Sequence, residues 1–542
     1  MSAFTKAMNS FSSRTVGENG AACHATTSDP RLDLFFKLVR DLPDRDLDTL
    51  LTNVFRTGTA DFIVHAFIMC FQTRDCRGGK GERDLAYKFF VHLYDHYPEA
   101  ALAVVHLFPE YGYYKDFLNL QELTPGIPAR ARLQDKIIEV FSAQLKQDHD
   151  NLATPNYKFT LAGKFMPGEG KEFATAQPAI FKKLMDALVP GVSRAKGVQQ
   201  RVYRTMKSAL NQKLDTTEVK MCSGHYADIE FSKVASLTMS KFKKAFLNEM
   251  LKQPPSYDEE ETGNRYPYSE DRVAARQHLQ AAAASTDPKK QLKGGQLAPH
   301  EITRQFMHGS NLSASEKAVS IAQWNDLRSK VVASGSHRPT VAVVDVSGSM
   351  QGVQMEVAIA LGILLSELTH PAFRDHLITF HESPAWVKLT GDLADKVHQT
   401  QGASWGMSTN LEKVFDLILT VVQAHKLKQE DIPDLAIFSD MQFDVAVGGG
   451  YQTHLERVKA KFRMIGLEAP RIVFWNLRAA TGFPAEADSG NVVMLSGYSQ
   501  SLLKYVLEDT PVPAEPTPLE TMIRILDDER YAQIRAIVTP LL

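Results

Sequence analysis

The chain has 542 residues, 44% hydrophobic and 23% charged, with a formal net charge of −2. Such a composition suits two or more globular domains with ample cores, and an almost balanced charge names no polyanionic partner. Four cysteines in so long a chain, Cys23, Cys70, Cys76 and Cys222, lie far from any zinc-pair spacing, which points to reduced thiols in a cytoplasmic protein rather than a secreted disulfide scaffold.

Residues 1–30 lack an apolar core long enough for a secretory signal and are expected to be a flexible segment. No run of about eighteen apolar residues follows, so no membrane span is expected. From 31 to 252 apolar residues recur at three- and four-residue spacing. The pattern predicts helices around Leu34–Val39 and over Leu47–Phe55, Asp61–Phe71, Asp84–Tyr97, Ala100–Leu107, Ala129–Leu145, Ile180–Leu188 and Gln199–Leu214. Short loops between them suggest an α-helical repeat domain of stacked, HEAT-like helix pairs, with a plain bundle as the alternative because no fixed period is found.

Two basic stretches stand out in this half. Arg74-Asp-Cys-Arg77-Gly-Gly-Lys80-Gly-Glu82-Arg83 sets four cations around three glycines between two helices. Backbone amides and cations there could hold phosphate, although the spacing and the Ser/Thr of a P-loop are missing. Ser193–Lys213 carries Arg194, Lys196, Arg201, Arg204, Lys207 and Lys213 with no acidic residue. Arg74, Arg77, Lys80, Arg83, Arg194, Lys196, Arg201, Arg204 and Lys207 are therefore candidate nucleic-acid contacts. A solvated helix face with ion pairs to its neighbours competes with that reading. Tyr111, Tyr113, Tyr114 and Tyr203 could stack on bases or simply pack. Cys70 and Cys76 are read as buried thiols, with a disulfide as the alternative.

Residues 253–298 read as an acidic, Pro- and Gly-containing linker with some helix. Its acids Asp258–Glu261 could reach an open metal position. Pro299-His300-Glu301 then opens a helix leading to Trp324. From 299 to 510, strands and helices alternate as a doubly wound, mainly parallel α/β sheet requires. Strands are expected at Val341–Asp345, His376–His381, Trp386–Leu389, Asp434–Ser439, Arg471–Asn476 and Val492–Leu495, and helices at Met355–Leu368 and Leu411–Ala424. Residues 511–542 read as a Pro-rich linker and one C-terminal helix, Leu519–Ile537, docking on the body.

The first of these strands runs into Asp345-Val-Ser347-Gly-Ser349. A carboxylate and two hydroxyls at the carboxyl end of a buried parallel strand lie where open α/β sheets bind ligands, and their oxygens suit a hard cation. Taken alone, the serines could instead cap the following helix. Two more loops add donors: Thr409, at the start of the helix from Leu411, and Asp440, at the end of the strand Asp434–Ser439.

This constellation, Asp345, Ser347, Ser349, Thr409 and Asp440, resembles the metal-ion-dependent adhesion site (MIDAS) of von Willebrand factor A domains. The resemblance implies Mg²⁺ or Mn²⁺ as cofactor, bound directly by Asp345, directly or through water by the hydroxyls, and through water by Asp440. It also implies one open position that captures an acidic group. The strings Arg74–Arg83, Tyr111-Gly112 with Lys115-Asp116, Pro299-His300-Glu301, Asp345–Met350, Phe438–Phe443 and Phe474-Trp475-Asn476 resemble an uncharacterised domain-of-unknown-function family that joins a helical region to such a domain. Domain order and helical character are in turn similar to the Ro autoantigen proteins, whose TROVE module binds small noncoding RNA and single-stranded RNA ends.

Three functions follow as expectations. The first is a cytoplasmic, Ro-like RNA-binding protein whose metal site captures an acidic ligand. The second is a protein-interaction scaffold whose partner, such as an AAA+ ATPase, offers an acidic residue. The third, held last, is a Mg²⁺-dependent nucleic-acid hydrolase, for which a general base or a second ion is needed and only Asp444 and Glu382 offer themselves. Binding rather than turnover is expected, and no catalytic residue is assigned.

Overall fold

The computed structural model describes residues 13–124, 126–191, 197–249, 264–307, 312–331, 338–380, 383–403, 410–445, 452–508 and 515–542. Thr409, Arg194, Lys196, Glu382 and the acidic run Asp258–Glu261 lie outside the described residues. The chain divides into two compact units. One comprises Met1–Thr73, Arg77–Leu85 and Lys293–Ala532, the other Arg74–Cys76, Ala86–Leu292 and Gln533–Leu542.

Among the described residues the named strands all lie in the first unit. A short hairpin, β1 (Arg14–Val16) and β2 (Ala22–His24), is followed much further along the chain by β3 (Thr340–Asp345), β4 (His376–Phe380), β5 (Ala385–Lys388), β6 (Asp434–Ser439), β7 (Ile472–Asn476) and β8 (Val492–Ser496). The last six form one sheet in the order β5-β4-β3-β6-β7-β8. Every pair in it is parallel except β4–β5 at the edge. Strands β3, β6, β7 and β8 are buried along their whole length, which is why their sequences are near-continuous apolar runs rather than alternating ones. The helix Val353–Leu368 packs on β3, and Gly362 permits the close approach, since a Cβ there would stand 2.4 Å from Val344 Cγ2.

Residues 14–24, expected within a flexible segment, instead form the hairpin, whose backbone bridges to Asp444 and Phe483 of the sheet unit. The helix Pro30–Lys37, capped by the Asp29 carboxylate accepting from Arg31 N, also belongs to this unit and places Phe36 in the core of the sheet. Its carboxyl end is tied down by Asn476 Nδ2, which donates to Phe36 O at 2.9 Å. The expected boundary at residue 31 therefore does not coincide with the compact units: residues 31–73 fall with the sheet.

In the second unit the named elements among the described residues are all helices, the longest being Ala131–Asp150 and Val198–Leu214. Ala131–Asp150 packs against Pro178–Leu188 and Val198–Leu214. Glu270–Ala284, within the segment read as a linker, is a regular helix capped by Ser269 and buried through Ala275 and Leu279. The single C-terminal helix expected over Leu519–Ile537 is two, Pro518–Leu526 and Ala532–Val538, because Asp528 turns its carboxylate onto Arg530 N and starts a new turn. All four cysteines are free, so no Cys70–Cys76 bridge forms. Among the described residues no helix is long and apolar enough to cross a membrane.

Candidate metal centre at the carboxyl end of the sheet

Strand β3 delivers Asp345 to the carboxyl edge of the sheet, and the next residues turn back tightly over it. Asp345 Oδ1 accepts from Ser347 N at 2.9 Å, and the hydroxyl oxygens of Ser347 and Ser349 are 3.1 Å apart. Neither serine caps the helix Val353–Leu368, whose first turn follows Gly352 without a side-chain cap, so the capping alternative is not realised. The neighbouring strand β6 ends beside this turn. Ser439 Oγ donates to Asp345 Oδ2 at 2.6 Å, and Asp440 Oδ1 accepts from Gln442 N at 3.1 Å. Ser439 was missed from sequence, although it stands directly before Asp440.

Asp345, Ser347, Ser439 and Asp440 are all 0% exposed, whereas Ser349 is exposed, so the pocket opens toward solvent on the side of the Gly348–Met350 turn. Burial, and then the neighbouring Asp440, pushes the Asp345 carboxyl up to about 7 despite hydrogen bonds from Ser347 and Ser439. Burial also raises Asp440, against the Gln442 amide, the Ser349 hydroxyl and the Arg478 guanidinium, all of which pull it down. Asp440 Oδ2 is buried with no hydrogen-bond partner, and the nearest cation, Arg478 Nη1, is 3.6 Å away.

Two buried carboxylates that repel each other and leave an oxygen unpaired are costly unless a cation joins them. Carboxylate and hydroxyl oxygens are the donors that Mg²⁺ and Mn²⁺ prefer, so the residues present fit such an ion. Among the described residues no group of three His, Cys, Asp or Glu side chains is placed to hold a metal, which leaves the centre with two carboxylates plus hydroxyls. Asp444 contributes its backbone carbonyl to the His454 ring at 3.0 Å.

The basic candidates are dispersed, and two need correction. Arg74 is buried and bidentate to Asp116, Nε to Oδ2 at 2.7 Å and Nη2 to Oδ1 at 3.0 Å, with Tyr87 OH on the same carboxylate. Lys80 is buried and donates to Phe35 O at 2.8 Å, Leu38 O at 2.9 Å and Ser496 Oγ at 2.7 Å, while burial holds its amine well below the usual lysine range. Neither presents a charge to a phosphate, because each spends its donors inside its own unit. Arg77, Arg83, Arg201 and Arg204 are exposed. Arg83 pairs with Asp84 at 3.1 Å and Arg204 with Glu169 at 2.6 Å. Lys207 is half-buried, its pKa lowered by burial and then by Lys171. Tyr111 and Tyr203 are buried, the latter donating to Pro167 O at 2.8 Å, so both pack rather than offer a face for a base.

Residues 17–125 and 128–257 match the domain of unknown function DUF2828, and residues 339–541 match the domain of unknown function DUF7788. Uncharacterized protein L728 of Acanthamoeba polyphaga mimivirus is 30% identical over 531 residues, which cover 94% of this chain and 86% of the viral one. The chain belongs to that protein's family. Packing divides the chain differently from these matches, since residues 17–73 match the first domain family and fall in the compact unit that holds the sheet. The crystal structure of the Deinococcus radiodurans Ro (RSR) protein aligns over 92% of this chain and 99% of its own, at 14% identity and a TM-score of 0.37, a score at which the likeness carries no argument.

Proposed function

We propose that this is a metal-dependent binding protein of the cytoplasm whose von Willebrand factor A-like sheet unit captures an acidic group of a partner. Asp345, Ser347, Ser349 and Asp440, joined by Thr409, would hold Mg²⁺ or Mn²⁺. When bound, the ion supplies a fixed positive charge for an incoming carboxylate. The chain's own residues set the donors, with Asp345, Ser347 and Asp440 buried and Ser349 on the side open to solvent. The observation that carries this reading is the pair of fully buried carboxylates at adjacent strand ends, one with an unpartnered oxygen. Binding fits better than hydrolysis because a metal-dependent hydrolase needs a general base or a second ion, and the buried carboxylates at these strand ends are two, Asp345 and Asp440. The partner is a protein with an exposed acidic side chain, as an AAA+ ATPase segment would be.

Calorimetry with Mg²⁺ tests the reading. Wild type should bind one ion and gain stability, about 2.7 kcal/mol at a hundred times Kd. Asp345→Asn should bind none, yet match or exceed wild-type stability in chelator, since one of two repelling carboxylates is gone. Equal Mg²⁺ binding by both proteins would sink the reading.

A second reading, Ro-like RNA binding, is favoured by one place in the helical unit. Lys207 and Arg204 line a shallow, open groove with Gly168, Glu169 and Gly170, and the Lys171 charge beside Lys207 is a repulsion that an anion would relieve.

A further inference from the structure

The turn of the N-terminal hairpin reaches the metal centre. Gly17–Gly20 is closed by Gly17 N donating to Ala21 O and Gly20 N to Gly17 O, both at 2.9 Å. Gly20, at φ +86°, takes a conformation that suits glycine, and a Cβ there would meet Val445 at 2.8 Å. Gln442 fastens the turn in place. Its Oε1 accepts from Glu18 N at 2.5 Å and its backbone oxygen from Asn19 Nδ2 at 3.0 Å, while its own N–H holds Asp440 Oδ1. One residue thus grips both the hairpin turn and a carboxylate of the centre.

Arg478, two residues beyond β7, stands between two acids. Its Nη1 lies 3.2 Å from Glu18 Oε2 and 3.6 Å from Asp440 Oδ2. Glu18 and Arg478 are partly open, with side chains 40% and 36% exposed, whereas the Asp440 side chain is 0% exposed.

We infer that Glu18 is a built-in acidic ligand of this centre, presented by the hairpin and seated on Arg478, which a partner's carboxylate must displace. The inference rests on the metal-binding reading above. A divalent cation beside Asp345 and Asp440 repels the guanidinium that now faces Asp440 and attracts the Glu18 carboxylate next to it. An exposed ion pair such as Glu18–Arg478 is weak, so the side chain can leave while the hairpin stays held through its backbone. The partner chemistry is thereby narrowed to a carboxylate that engages the cation and Arg478 together.

The test uses the full chain and Mn²⁺ alone as probe, in wild type, Glu18→Gln and Asp345→Ala, with calorimetry and amide exchange of residues 14–24. Glu18 is an exposed turn residue, and the Gln variant keeps its shape and backbone bonds. The expected result is Mn²⁺ affinity about 5- to 10-fold weaker in Glu18→Gln, because the count of charged ligands falls by one. Mn²⁺ should also slow exchange across the hairpin in wild type and not in the variant. Equal affinity and equal slowing in Glu18→Gln, with binding abolished in Asp345→Ala, would overturn the built-in ligand and leave the metal centre standing. No Mn²⁺ binding by wild type, or unchanged binding by Asp345→Ala, would overturn the metal reading itself and this inference with it.

Discussion

The turn after β3 and the turn that follows the helix Ala60–Arg74 look alike in sequence, each a set of charged or hydroxyl side chains spaced by glycines. The structure treats them in opposite ways. Arg74 has a carboxylate fitted to its guanidinium, and Lys80 has two helix-end carbonyls and a hydroxyl around its amine. Asp345 and Asp440 are as deeply buried, yet the charge of one opposes that of the other and Asp440 Oδ2 has no hydrogen-bond partner. Burial with partners holds a fold together, whereas burial without them stores a demand for a ligand.

Arg74 offers the largest break in that comparison. Truncating it to Ala leaves Asp116 buried with one phenol and backbone amides, which should cost about 3–5 kcal/mol in urea unfolding. The double variant Arg74→Met with Asp116→Leu should recover much of that loss, because the orphaned charge is gone. A cost below about 1 kcal/mol for Arg74→Ala would mean that the pair is not what satisfies Asp116.

Lys80→Met comes next and tests the other unit. The methionine fills the space but leaves Phe35 O and Leu38 O short of a donor, for an expected loss of about 1–3 kcal/mol read from the denaturation midpoint. Ser496 Oγ, which also donates to Phe35 O at 2.8 Å, should keep the loss toward the lower end. If the variant unfolds no earlier than wild type but loses affinity for RNA, Lys80 would be a contact after all and the buried arrangement would be wrong.

The legibility of this chain follows the same division between local and distant partners. Strands β3, β6, β7 and β8 were readable because a strand covered on both faces must be apolar at every position, a signal carried by the strand itself. The candidate donors Asp345, Ser347, Ser349 and Asp440 could be singled out for a related reason: each lies at or just beyond the end of such a strand. The hairpin β1–β2 was not, since strands of three residues carry no period and this pair is held by residues such as Gln442 and Phe483 far along the chain. Some helix was expected within 253–298, but the bounds of Glu270–Ala284 were not legible because its charges and alanines give no clear apolar stripe, although Ser269 before Glu270 and Asp271 is a good helix start. Whether a cation is spent internally depends on an acid such as Asp116 or Glu169, and nothing near Arg74 or Arg204 in sequence announces it. Arg478 and Glu18 were invisible as site residues because their roles exist only through Asp440.

The smallest expected effect on stability comes from the cations that remain outside. Reversing Arg77, Arg201 and Arg204 to Glu should change stability by about 0.5 kcal/mol or less per site, because exposed positions away from caps and cores are tolerant and a surface pair such as Arg204–Glu169 is worth about 0–1 kcal/mol. That tolerance makes the triple variant a clean probe of the second functional reading. If RNA phosphates sit on these side chains, log K against log salt should flatten by about 0.7 for each lost single-strand contact, so the triple variant should bind weakly and with a slope lower by about 2. An unchanged slope in a folded triple variant would remove the exposed cations as well as the buried ones from the list of phosphate contacts. The charges that matter in this molecule would then be the buried carboxyl groups at the carboxyl end of the sheet.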